Sequence, residues 1–248
     1  MTLEKLRQLH QELSDFYDNL DSAPVLHVHG IRKRTKYMRA LLKINREAAQ
    51  QSIIILKNIS QILSPYRDAQ VMVETFGNFT QQKDLGYDEL VDGLLRGNPF
   101  HEDPTPDFVE MHRMTDLMDQ LAIEIDSLKP GVDQEMFKAH LEQSYQMGSQ
   151  RLQEAIADSD QETVHSWRKK SKHIWYLLRF RDGDEVSDEA KRVNQLDRLG
   201  KLLGEVHDLD MLKAFILTHF QGYPADPLDQ YRSERLDQAF QLAPDIFD

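Results

Sequence analysis

Apolar positions recur at helical intervals along most of this chain, and no stretch keeps the strict alternation of a half-buried strand. Leu3, Leu6, Leu13, Phe16, Tyr17 and Leu20 predict a lead-in helix over residues 3 to 21. Ala23-Pro24 interrupts it, and Pro24 then suits the first turn of a second helix, where a missing N–H costs nothing; that helix is predicted to run to Ala49. Ile53, Ile54, Ile55, Leu56, Ile59, Ile62 and Leu63 predict a third, strongly buried helix. The isoleucine triplet alone also suits a strand, but the run keeps a helical period past it. Ser64-Pro65 ends that helix, and a fourth begins at Tyr66 with apolar positions at Ala69, Met72, Val73 and Phe76.

From 82 to 107 the pattern changes: Gly93, Gly97, Pro99, Pro104 and Pro106 lie among acidic and polar residues and predict a short helix followed by a loop. Two helices are predicted over 107–128 and 133–157, separated by Lys129-Pro130-Gly131. Ser159 or Asp160 caps the next helix. Asp182-Gly183-Asp184 ends it, and Ser187-Asp188-Glu189 opens another with Val193, Leu196, Leu199, Leu202 and Leu203 inward. A further helix is predicted from Gly204 through Phe215, in the place that the Tyr66 helix holds in the first half. The tail from Pro224 has a weak helical pattern and is predicted to be partly ordered. The fold class is all-α, with stacked bundles of three or four helices as the natural architecture.

Two of these helices carry an unusual polar face. Each starts its stripe with a His, has Arg three and Lys four residues on, Lys at seven and a basic residue at fourteen: His29, Arg32, Lys33, Lys36 and Lys43 in one, His165, Arg168, Lys169, Lys172 and Arg179 in the other. At about 100° per residue all of these fall within about 60° of the His direction. Ile31, Met38, Leu41 and Leu42 take the opposite side of the first, and Trp167, Ile174, Leu177 and Leu178 take the same offsets in the second. Amphipathic helices usually mix charge on the polar face; these carry one sign.

Charge makes the contrast sharper. Residues 29–46 hold seven Lys/Arg and residues 165–181 hold six, with no Asp or Glu in either, while the whole chain has a formal net charge of −12; the remaining residues therefore carry −25. A protein built for the open surface of DNA is basic over a broad exposed face. An acidic body with two concentrated basic stripes points instead to an enclosed anion site. From residue 29 to 43 a helix rises about 21 Å at ~1.5 Å per residue, enough to meet several phosphates of a linear polymer. The other reading of each stripe is a solvated face paired with acids from neighbouring elements. For His29 and His165 two roles stand open, capping or packing on one hand and direct anion contact on the other.

The remaining composition excludes more than it assigns. At 248 residues the chain suits one large domain or two smaller ones. No run of 18 apolar residues predicts a membrane span. Met1-Thr2-Leu3-Glu4-Lys5-Leu6-Arg7 does not read as a secretory signal. The absence of cysteine excludes disulfides and thiolate metal sites and fits a reducing, cytoplasmic setting. No Gly-x-Ser-x-Gly, phosphate-loop or dinucleotide glycine pattern occurs, and Met111, Met114 and Met118 read as core.

The ordered motifs resemble a known family. His29-x-x-Arg32-Lys33-x-x-Lys36-x-x-Arg39 is followed by Leu63-Ser64-x-x-Arg67-Asp68-Ala69-Gln70-Val71, and His165-x-Trp167-Arg168-Lys169-x-x-Lys172-x-x-Trp175-Tyr176 by Leu203-Gly204-x-x-His207-Asp208-Leu209. This is similar to the CHAD domain, the conserved-histidine α-helical domain. The resemblance covers both halves, roughly 5 to 220, and with the Gly/Pro-rich connection the chain reads as one such domain over 1–248, with a first repeat at 1–96, a connecting loop at 97–106, a second repeat at 107–222 and a tail at 223–248. The resemblance implies two pseudo-twofold-related four-helix bundles with a basic central groove or pore that binds inorganic polyphosphate without catalysis. Carried over by position, His29, Arg32, Lys33, Lys36, Arg39 and Lys43 are one wall, His165, Arg168, Lys169, Lys172 and Arg179 the other, and Arg67 and His207 add to the site. Trp175 departs from the family's usual Arg, which predicts weaker binding by the second stripe. No cofactor or metal is implied, and the Glu-x-Glu-x-Lys signature of the triphosphatase domain that accompanies this family is missing.

Two other functions compete. His207-Asp208 is similar to the His-Asp pair of metal-dependent phosphohydrolases, which supports hydrolysis or phosphoryl transfer on polyphosphate or nucleoside polyphosphates, but the same place in the first half reads Arg67-Asp68. A structural role for both Asp residues, as caps or as partners of the basic stripes, is the alternative. His27-Val28-His29 would present two imidazoles on one face of an extended segment, with no third ligand near in sequence. Nucleic-acid binding is the third function, opposed by the acidic exterior.

Overall fold

Every described element is helical, and among the described residues there is no strand. The computed structural model describes residues 3–83, 106–128, 132–181, 188–219 and 226–247. The predicted short helix after residue 83, the Lys129-Pro130-Gly131 separator and the Asp182–Ser187 breaks therefore lie outside the described residues. The chain divides into two compact units, Met1–Phe137 and Lys138–Asp248. The sequence repeat and the unit in space are different divisions: the helix over 107–128, in the second half by sequence, packs within the first unit.

In the first unit, α1 (Leu3–Asp18) leads through a 3-10 turn at Leu20–Ser22 into α2 (Pro24–Leu42), with Pro24 in its first turn. α2 stops at Leu42, short of the predicted Ala49. The backbone tightens there into a 3-10 turn at Lys43–Asn45, and the Lys43 N–H donates to the Arg39 and Leu41 carbonyls, which satisfies helix-end groups. α3 (Gln50–Ile62) settles the isoleucine triplet as helix: Ile55, Leu56, Ile59, Ile62 and Leu63 are buried while Ile54 faces out, a 3.6-residue rhythm. α4 (Ser64–Lys83) takes Pro65 into its first turn. α5 (Phe108–Ser127) starts on a capping box in which Asp107 accepts from the Glu110 N–H at 2.8 Å, and it buries Met114, Leu117, Met118, Leu121 and Ile125. α1 and α3 pack on α2 and α5, and α4 packs on α2 and α3.

Gly30 has a specific reason to be small. A Cβ there would meet the Phe16 ring at 2.7 Å, so its lack of a side chain lets α1 lie close against α2.

In the second unit, α6 (Gln134–Ala157) precedes α7 (Gln161–Arg181), whose first turn is held by the Asp160 carboxylate accepting from the Thr163 N–H at 2.7 Å. α8 (Asp188–His219) is one helix where the sequence predicts two. Gly204-Glu205 supplies no proline to match Ser64-Pro65, and one glycine costs a helix interior only about 1 kcal/mol. The tail is also better ordered than its pattern predicts: α9 (Asp226–Leu242) and α10 (Pro244–Phe247) pack on α8. Leu228, Leu236, Ala239, Ala243 and Ile246 are buried there. Arg232 donates to Asp210 and to the Ser159 carbonyl at 2.9 Å, and Phe240 stacks on Trp167 with ring centroids 5.6 Å apart. These contacts are to partners distant in sequence, so no local period announces them.

Both basic helices bury the side predicted for them. Ile31, Met38 and Leu41 on α2, and Trp167, Ile174 and Leu177 on α7, are wholly buried, with Leu42 and Leu178 nearly so. At roughly 2 kcal/mol for each such side chain, that burial fixes the rotation of each helix and so fixes which way its charges project.

Candidate functional site

The first stripe lies along α2 and meets the start of α4. Lys33, Lys36 and Lys43 are exposed, while Arg32, Arg39 and Arg67 are half-buried. The Arg32 guanidinium donates to Ser64 Oγ at 2.7 Å and to the Ser60 carbonyl at 3.5 Å, and it pairs with Asp68 at 3.6 Å. Burial pulls the Arg32 pKa below its ordinary value, opposed by the Asp68 charge and reinforced by nearby Arg67. Arg67 pairs with Glu74 at 3.6 Å. Arg39 is lowered by burial alone, and its Nε has no hydrogen-bond partner among the described residues.

His29 keeps an exposed edge but is crowded enough for desolvation to matter. Crowding first, and then the charges of Arg67, Lys33 and Lys36, hold its imidazole below the ordinary value, with Glu74 acting the other way. This groups His29, Lys33, Lys36 and Arg67 electrostatically, and Arg67 links Arg32 to the same group. His27 lies on α2 as well, where two residues turn about 200°, so the shared face that an extended segment would give His27 and His29 does not exist. The His27 ring packs 5.9 Å from the Phe16 ring instead.

The second stripe repeats these relations with different side chains. The His165 ring stacks on His207 with centroids 4.4 Å apart, the counterpart of His29 beside Arg67. Arg168 is largely buried, which lowers its pKa against the opposing influence of Asp208 and Tyr176. The Arg168 guanidinium lies over α8 at Gly204, 3.5 Å from where a Cβ would be. In the first unit the same place belongs to Ser64, which Arg32 contacts. Buried hydroxyls also correspond: Thr35 donates to the Arg32 carbonyl and Ser171 to the Trp167 carbonyl, each at 3.0 Å.

Trp175 faces two cations of its own stripe. The Lys172 ammonium lies 4.1 Å and the Arg179 guanidinium 5.0 Å from its ring centroid, so the indole holds two cations against its π face. Lys169 stands exposed beside them. Carboxylates do reach parts of the stripes, at Arg34 with Glu12 as well as Arg32 with Asp68 and Arg67 with Glu74. Asp68 thus takes one of the two structural roles weighed for it, as partner of a basic stripe.

Ser60, Ser64, Gly200 and Glu74 are absent from the sequence-predicted site. Ser60 and Ser64, like Gly200 and Gly204, stand one helical turn apart, but that spacing identifies a close-packed seam only once the facing side chain is known. No group of three or more His, Asp or Glu is arranged to hold a metal ion among the described residues. No described helix is long and apolar enough to cross a membrane.

The sequence profile of the CHAD domain matches residues 3–217. No curated protein and no solved structure matches the chain.

Proposed function

Because the chain belongs to the CHAD domain family, we propose that it binds inorganic polyphosphate non-catalytically, through the stripes His29, Arg32, Lys33, Lys36, Arg39, Lys43 with Arg67, and His165, Arg168, Lys169, Lys172, Arg179 with His207. The observation that carries this reading is the duplication of one local arrangement in both units. Each has an Arg withdrawn from water over a small residue, an Asp one turn beyond that residue, and a His against a second basic or aromatic group. Packing alone does not require a buried guanidinium twice over, since burying a charge costs several kcal/mol unless something compensates it. Asp68 with the two serine oxygens at Arg32, and the Asp208 charge at Arg168, offset part of that cost; on this reading phosphate oxygens add further compensation through charge-assisted hydrogen bonds, with Arg as a fork and Lys as a point charge.

The pseudo-twofold pair of four-helix bundles with a shared basic groove is part of the same proposal and rests on the family alone. A hydrolytic reading gains nothing from His207-Asp208, because His207 is stacked on His165 and the Asp208 charge acts on Arg168. A nucleic-acid reading is opposed by the net charge of −12.

Calorimetric titration with long-chain polyphosphate, repeated on the Arg32→Glu, Lys36→Glu, Arg168→Glu, Lys172→Glu variant, tests the site. Binding by the unaltered chain and its loss in the variant is expected. Equal binding by both would move the site elsewhere.

A further inference from the structure

Arg168 and Lys172 are one turn apart on α7, and Gly200 and Gly204 are one turn apart on α8. The pairs meet: a Cβ at Gly204 would lie 3.5 Å from Arg168, and one at Gly200 would lie 2.8 Å from Cδ and 3.5 Å from Nζ of Lys172. At Gly204 that is ordinary contact, so a small side chain fits. At Gly200 it is an overlap with the lysine stem, which can exist in its present place only because residue 200 has no side chain. The stem lying there carries the ammonium to 4.1 Å from the Trp175 ring centroid and 5.8 Å from that of Tyr176. In the first unit the matching positions are serines that bond other residues: Arg32 donates to the Ser60 carbonyl and to Ser64 Oγ, and Ser60 Oγ bonds Thr35 Oγ1 at 2.8 Å.

We propose that Gly200 is a positioning residue of the second stripe: its bare backbone seats the Lys172 stem and so holds the ammonium against Trp175, where it meets phosphate, while Gly204 gives the neighbouring room to Arg168. A lysine stem is flexible, so a Cβ at residue 200 displaces the ammonium at little cost to the fold, and Ala improves helix propensity at that position. Loss of the seat is therefore a change in the site and not a loss of packing. The role in binding rests on the polyphosphate reading; the role in seating Lys172 does not.

Indole emission of the ligand-free protein separates the two. Lys172→Met removes the ammonium from the Trp175 face and sets the reference change in emission. Gly200→Ala, which adds only the overlapping Cβ, is expected to change emission in the same direction with the melting temperature retained, and Gly200→Ser, the residue type of the matching position Ser60, carries the same Cβ as a second variant. Gly204→Ser is expected to leave emission as it is. In titrations with long-chain polyphosphate, Gly200→Ala is expected to weaken binding by about the same factor as Lys172→Met, with no further loss in the double variant, because both remove one interaction. Unchanged emission in both Gly200 variants, or losses that add in the double variant, would overturn the assignment. If the unaltered chain failed to bind polyphosphate while the emission changes appeared, the seat would stand and the ligand assignment alone would fall.

Discussion

His29 resists protonation because its neighbours crowd it and because Arg67, Lys33 and Lys36 repel a further charge, with only Glu74 opposing. The unfolded chain protonates this imidazole near about pH 6.5, the folded chain at lower pH. The unfolded state therefore holds more protons in that window, so stability falls as pH drops through it and levels off below the folded pKa. A phosphate chain against the same cations cancels their repulsion and raises the imidazole again. Binding is then predicted to take up protons below about pH 6.5 and to tighten toward acid. Calorimetry in two buffers of different ionisation heat reads the proton count directly; uptake should shrink in His29→Gln, and no uptake in the unaltered chain would contradict the placement of phosphate beside His29. At this scale the cations were readable in the sequence because charge and a 3.6-residue spacing are local properties. Their seats were not: Ser64 and Gly200 are unremarkable until Arg32 and Lys172 are known to lie on them. Trp175 shows the same limit, since a missing charge in the sequence gives no hint that its ring gathers two others.

Single helices were predictable wherever an apolar period ran unbroken, and the rotation of α2 and α7 follows from it. The differences arise where ends and tertiary partners decide. α8 runs on through Gly204 where α3 gives way to α4 at Ser64-Pro65, so the two repeats present the same Arg on a broken and an unbroken helix. That contrast predicts unequal sensitivity. Ser64→Ala removes a hydrogen bond from a mostly buried guanidinium and should cost about 1 kcal/mol in chemical denaturation, whereas Gly204→Ser should be nearly neutral. The tail gives a second test at this scale. Leu236 is buried on α9, so Leu236→Ala is expected to destabilise by roughly 3 kcal/mol, the cost of a core truncation; a cost near zero would mean that α9 does not pack on α8. The family match ends at residue 217, yet Phe240 stacks on Trp167, whose neighbour in sequence is Arg168. A segment beyond the recognised region thus supports the back of the second basic helix.

The whole molecule sets a net charge of −12 against two segments, 29–46 and 165–181, that together hold thirteen Lys and Arg with no Asp or Glu inside either. The acidic remainder disfavours broad polyanion adsorption, and on the proposed function it directs a polyphosphate chain to the stripes. The all-α class and the duplication were both open to sequence reasoning. The division into units at Phe137 was not, because it depends on α5 packing with α1 and α3 despite its place in the second half of the chain. The dependence of polyphosphate affinity on salt measures the central claim most directly, because it counts the phosphates that the protein neutralises. With six or more contacts, affinity should fall by ~10³ or more between about 50 and about 200 mM salt, and reversing the charges of either stripe should flatten that slope. A shallow slope in the unaltered chain, or a slope untouched by charge reversal in both stripes, would contradict the account.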